Sequence, residues 1–94
     1  MEPFETPDIN LETKLRGEIE KWTFRIREDI KKARLAGGNK EKEKNAHLLT
    51  NIRAYIEDSG YFLEKGDFIR SFEAIIWAWS WLEILKELKI LERH

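Results

Sequence analysis

The sequence predicts an all-α fold, an antiparallel up-down-up three-helix bundle with a tight hairpin between its second and third helices. Three observations predict it. Apolar residues recur at spacings of three and four with no strand-like alternation of any length. Strong breakers after the N-terminal prolines occur only at Gly37-Gly38-Asn39 and Gly66-Asp67, cutting the chain into three segments of similar length. Each segment is about 25 residues, or ~38 Å of helix at 1.5 Å per residue, and matched helices joined by short loops pack as bundles. The 94 residues make one domain.

The first helix is expected over 7–36. Thr6-Pro7 reads as a cap with proline at the first helical position, and Asn10 is the competing cap. Residues 1–6 are expected to be flexible. Leu11, Leu15, Ile19, Trp22, Ile26, Ile30 and Ala33 form one apolar stripe. Lys31, Lys32 and Arg34 suit the negative end of the helix dipole, and Gly37 supplies a left-handed residue after it. Gly17, costly in mid-helix, is read as a mark of close helix approach.

The second helix is expected over 40–65, capped by Asn39, with Leu48/Leu49, Ile52, Tyr55/Ile56, Ser59 and Phe62/Leu63 as its stripe. Lys40 through Lys44 alternates with glutamates and reads as a solvated face. Ser59-Gly60 is read as a small site that admits a ring from another helix. The third helix is expected over 67–91, with Gly66 ending its predecessor and Asp67 as its cap. It carries two stripes. Phe68, Phe72, Ile75, Trp79 and Leu82 form one; Trp77, Trp81, Ile84, Leu88 and Leu91 form the other. A helix apolar over so wide an arc needs cover on more than one side, so it is expected to be the most buried.

Composition narrows function. There is no cysteine, hence no disulfide, thiolate metal site or thiol nucleophile. The net charge of −1 fits neither a disordered acidic tail nor a basic nucleic-acid coat. The absence of Gln and Val beside abundant Lys and Glu is a thermophile-like balance. No secretory signal or membrane-length apolar run is present, which points to the cytoplasm.

The run Tyr55-Ile56-Glu57-Asp58-Ser59-Gly60-Tyr61-Phe62-Leu63-Glu64-Lys65-Gly66-Asp67-Phe68, with Phe72, Ala78, Trp81, Leu82 and Glu83, resembles the archaeal family called domain of unknown function 357. The resemblance covers the second and third helices. It implies an archaeal source and an all-α fold, and no activity. Where that family's pattern has a histidine-glycine pair after the alanine, this chain has Trp79-Ser80, so no histidine ligand is implied there. Tyr61 through Ala74 also resembles one tetratricopeptide hairpin, but a single hairpin is not an array. The same hairpin resembles that of HEPN nuclease-like domains. Their arginine with a histidine a few residues later is unmatched, since Arg70 is followed by Ile75 and Ile76.

Candidate sites follow by elimination. His47, with Glu43 and Asn51 one turn away, reads as a surface histidine, because a catalytic zinc site wants three protein ligands. Asp58 and Glu83 are the only carboxylates to consider for acid-base work, and no nucleophile or oxyanion-stabilising loop accompanies them. The expected role of Asp58 is structural, bonding a ring hydroxyl or indole N–H across the hairpin, with Tyr61, Gly66 and Asp67 completing that turn. No enzyme, cofactor or metal is implied.

Charge is uneven. Residues 14–53 carry a net +6 and the remainder −7. Arg25, Lys31, Lys32, Arg34, Lys40 and Lys44 are therefore the candidates for contact with RNA or another anion. Four tryptophans in 94 residues, three of them in the third helix, point more strongly to a protein interface, since tryptophan joins large area to one polar handle. The expected function is a non-enzymatic interaction module, a homodimer or a binder of another protein, using Trp77, Trp81, Ile84 and Leu88 with Phe24 as an outlier. Phe24 and Ile69 fall off the main stripes and should stay exposed. Trp81→Ala should cost the fold or the assembly about 3–5 kcal/mol.

Overall fold

A computed structural model describes residues 9–93. It contains three helices, α1 (Ile9–Lys32), α2 (Asn39–Glu64) and α3 (Phe68–Glu87), and a two-stranded antiparallel sheet of β1 (Ala33–Leu35) and β2 (Leu91–Arg93). Thr6-Pro7 and the segment 1–6 lie outside the described residues. Because α1 is already helical at Ile9, Asn10 sits inside the first turn and is not its cap.

The sheet corrects two expectations. The first helix stops at Lys32 rather than Ala36, and the third at Glu87 rather than Leu91. Three residues per strand are too few to show an alternation in sequence, so the pairing is decided by tertiary contact. Ala33 faces Arg93, Arg34 faces Glu92 and Leu35 faces Leu91. Leu91 is buried and joins the main core, while Arg34 Nε donates to Glu92 Oε1 at 2.9 Å on the exposed side. Leu91 thus leaves the stripe of α3 and closes the end of the core as a strand residue. Gly37 does adopt φ +90°, yet it follows a strand and leads into α2. Gly38, not Asn39, occupies the cap position of α2.

The α2–α3 turn forms as expected. Gly66 has φ +77°, its N–H donates to the Leu63 carbonyl at 3.1 Å, and the Asp67 N–H donates to the Phe62 carbonyl at 2.9 Å. These two bonds close a helix with a left-handed glycine. Asp67 then caps α3 by accepting from the Arg70 N–H at 3.1 Å.

The core centres on α3, the most buried helix. Ser71, Ala74, Ile75, Ala78, Leu82 and Leu85 are buried in it along one face, at spacings of three and four but for the adjacent pair Ala74-Ile75. They pack with Ile26 of α1 and with Ile52 and Ile56 of α2. Three of the six are Ser or Ala. Small residues at the centre let α2 come close, and the large rings of α3 are displaced to the shoulders of the contact. Of the first apolar stripe Ile75 and Leu82 do lie in the core, with Phe72 packed against it, whereas Trp79 and, in the second stripe, Trp77, Trp81, Ile84 and Leu88 stay partly exposed. Contacts along α1 and α3 advance together. The Arg16 guanidinium lies 4.9 Å from the Phe68 ring centroid, Trp22 meets Trp79 edge-on at 5.6 Å, and Asp29 accepts from Lys86 Nζ at 2.8 Å. Contacts along α2 and α3 run in opposite order, from Ser59 beside Ser71 to Leu48 beside Trp81.

Candidate functional site

Along α3 the side chains of Trp77, Trp81, Ile84 and Leu88 follow one another at steps of four, three and four, and so share one face. Between 37% and 62% of each is exposed. Trp77 and Trp81 sit on the shoulder of α3 that meets α2. Tyr55 stacks on Trp77 with centroids 6.5 Å apart, and Leu48, Asn51, Tyr55 and Trp81 enclose a niche of about 90 Å³. These large apolar side chains form one exposed run rather than a scatter of single residues.

Phe24 is 67% exposed on α1 and does not join this face. It borders a separate groove of about 350 Å³ with Thr23, Arg27, Ile56, Gly60 and Leu63. Ile69 is also exposed, beside Leu11, Leu15 and Phe68 at the hairpin end. Gly60 and Gly17 have open space where a Cβ would stand, so neither marks a close approach or admits a ring. The polar contact at Ser59 is with Ser71 across the hairpin.

The candidate anion-binding residues are not gathered into one site. Arg25 lies over the Trp22 ring at 5.3 Å, Lys31 pairs with Glu28 at 2.8 Å and Arg34 with Glu92 at 2.9 Å. Lys31 holds the Glu28 carboxyl below its usual range, by a hydrogen bond first and by its charge second. Lys32, Lys40 and Lys44 are exposed. Two cations that the charge count did not single out, Arg27 and Arg53, line an α1–α2 groove of about 370 Å³ with Lys31 and Glu57. Their i to i+4 placement along α1 and α2 was readable, but their meeting across two helices was not.

At the hairpin, Tyr61 is exposed, set edge-on against Phe62 at 5.5 Å and covered by the Lys65 ammonium at 5.4 Å. Asp58 does not bond a ring across the hairpin; it is exposed and lines a cleft with Arg70 and Glu73. Glu83 is engaged elsewhere, paired with Lys86, so Asp58 and Glu83 do not share a site. His47 Nδ1 bonds the Lys44 carbonyl at 2.9 Å. Among the described residues no group of three or more His, Asp or Glu is placed to hold a metal, and no helix is long and apolar enough to cross a membrane.

The most elaborate polar arrangement ties α1 to α3. Lys86 Nζ donates to Asp29 Oδ2 and pairs with Glu83, while Arg93 Nη2 of β2 lies 3.8 Å from Asp29 Oδ1. Partial burial opposes the charge on Lys86, but its hydrogen bonds to Asp29 and Glu83 outweigh that and raise its pKa above the ordinary value. This network fastens the end of α1 and the C-terminal strand to α3. It explains how the short sheet is held and leaves the Trp77–Leu88 face uncovered.

Comparison with known proteins agrees with this architecture. The crystal structure of protein AF1782 from Archaeoglobus fulgidus, assigned to DUF357, superposes with a TM-score of 0.76 at 44% identity, covering 89% of this chain and 99% of that one. No curated protein matches the chain. Residues 21–91 match the family described as Protein of unknown function (DUF357). With that match spanning α2, α3 and the second half of α1, and a relative of 44% identity sharing the fold, the chain belongs to the DUF357 family.

Proposed function

We propose that this chain is a non-enzymatic interaction module of the cytoplasm that associates with a second copy of itself through the Trp77–Trp81–Ile84–Leu88 face. The observation that carries the reading is the half-exposed run of four large apolar side chains on one shoulder of α3, continuous with Leu48 and Tyr55 of α2. A two-fold contact is self-complementary, so one apolar face on each copy suffices to form it. The helices beneath it are inferred to form an up-down-up bundle, supported by the order of contacts along each pair. The Lys- and Glu-rich composition supports a thermophilic source.

The test is the mass in solution at two concentrations, for the wild-type chain and for the Ile84→Glu/Leu88→Glu variant. Both residues are substantially exposed, so the fold tolerates the change. The expected result is a mass of twice 11.3 kDa for the wild type at the higher concentration and 11.3 kDa for the variant at both. A wild-type chain that stays at 11.3 kDa throughout overturns self-association.

A further inference from the structure

We propose that the cleft between α2 and α3 at the hairpin end of this face is a binding site for an alkylammonium cation. The cleft has a volume of about 380 Å³, with the buried Ala74 in its lining. Three of its walls are aromatic: Tyr55 and Phe62 from α2 and Trp77 from α3. Tyr55 and Trp77 are near-parallel, 20° apart in plane. Two carboxylates also line it, Asp58 from α2 and Glu73 from α3. Among the described residues neither has an ion-pair or hydrogen-bond partner. Ring faces carry negative electrostatic potential that attracts a cation, and carboxylates beside them add Coulomb attraction. With two carboxylates against the one guanidinium of Arg70, the lining keeps a net negative charge and favours organic cations over anions.

The chain already places one cation against this wall. The Arg70 guanidinium lies 5.8 Å from the Phe62 centroid. It is drawn to the edge of the cleft by its ion pair with Asp67, at 3.5 Å. Arg70 therefore occupies the Phe62 side, and the part of the cleft lined by Trp77, Asp58 and Glu73, beside the stacked Tyr55–Trp77 pair and not between its rings, is where a second, incoming ammonium binds. Trp77 belongs both to this cleft and to the face proposed for self-association, while Ile84 and Leu88 lie beyond the cleft's lining, so a variant changed at those two positions leaves the site open and separates the two readings.

An alkylammonium group arrives either on a free linear diamine or on a lysine side chain of another protein. The experiment titrates 1,4-diaminobutane, Nα-acetyl-lysine methylamide and, as the neutral control, 1-butanol into the ¹⁵N-labelled chain at low salt. The Trp77 indole N–H is followed by NMR, in the wild type and in Ile84→Glu/Leu88→Glu. The expected result is a saturable shift of that signal with both ammonium compounds and none with the alcohol. Asp58→Asn/Glu73→Gln weakens binding about 10-fold, and Arg70→Gln, which removes the competing cation, tightens it about 3-fold. Tighter binding of the diamine assigns the site to free diamines, and equal binding assigns it to a lysine side chain. The proposal is overturned if the Trp77 signal is unmoved by both cations in both chains, moves equally with the alcohol, or binds as tightly in the Asp58→Asn/Glu73→Gln variant.

Discussion

Ser59 and Ser71 hold α2 and α3 together by exchanging hydrogen bonds in both directions across the hairpin. Ser59 Oγ donates to the Ser71 carbonyl at 2.8 Å, and Ser71 Oγ donates to the Ser59 carbonyl at 2.7 Å. Both side chains are buried, so each hydroxyl must find its partner inside the protein. Either Ser→Ala change should cost about 1 kcal/mol, the net worth of one such bond. The double variant should depart from additivity, because the two hydroxyls are in contact at 3.0 Å. Ser71→Leu should cost more than Ser71→Ala, since a large side chain there forces apart helices whose spacing the serines set. Midpoints of denaturant unfolding measure all four variants.

Lys86 makes the linkage between α1 and α3 sensitive to alkaline pH. Burial disfavours its ammonium, but the Asp29 and Glu83 hydrogen bonds raise its pKa above 10.5. A group with a raised folded pKa contributes stability that is complete below its unfolded value and disappears as pH climbs through the folded one. The wild type should therefore lose stability relative to Lys86→Met as pH rises above about 10.5. At neutral pH, Asp29→Ala should cost about 1–3 kcal/mol, because it strips a part-buried ammonium of one of its two partners. Thermal unfolding across a pH series reads both effects.

Lys89 is a left-handed lysine where most helices place glycine. Its φ is +64°, its N–H donates to the Lys86 carbonyl at 3.1 Å and the Ile90 N–H to the Leu85 carbonyl at 2.9 Å. The pattern repeats the one at Gly66, but here a side chain with a Cβ occupies the left-handed position. That conformation costs an L-residue roughly 1–2 kcal/mol. Lys89→Gly should accordingly stabilise the protein, by about 0.5–1 kcal/mol after the added freedom of the unfolded glycine is subtracted. A rise in melting temperature checks it. A fall would show that the lysine side chain contributes more than its backbone costs.

What could be read from the sequence was local. Gly66 and Asp67 announced the hairpin, because a left-handed closure and an Asp cap follow from the residues at the turn itself. Ile19, Ile26, Ile52, Ile56, Ile75 and Leu82 announced the buried faces by their spacing. The stripe Trp77, Trp81, Ile84 and Leu88 was equally visible, but its exposure was not. That depends on Ser71, Ala74 and Ala78 taking the centre of the contact, and small residues carry little weight in an apolar pattern. The β1–β2 pair was illegible for another reason. Three residues of helix-compatible sequence become a strand only once Leu91 folds back over Leu35. The ring-and-carboxylate cleft draws on two helices, and no spacing within one helix signals it.

Gly17 and Gly60 test the distinction between a glycine that a fold requires and one that it merely carries. Both lie within helices, neither has a positive φ, and a Cβ built on either meets nothing within 4 Å. Gly37 and Gly66 differ in each being held at a positive φ. Replacing a helical glycine by alanine reduces the backbone freedom lost on folding, by about 1 kcal/mol per site. Gly17→Ala and Gly60→Ala should each stabilise the chain by about that amount, and the pair should add, because the two residues share no contact. Gly66→Ala should do the reverse and destabilise by a comparable amount, since alanine at φ +77° is strained. Should Gly60→Ala instead destabilise, the α1–α2 groove beside it would have to be narrower in solution than its lining of Phe24, Ile56 and Leu63 allows.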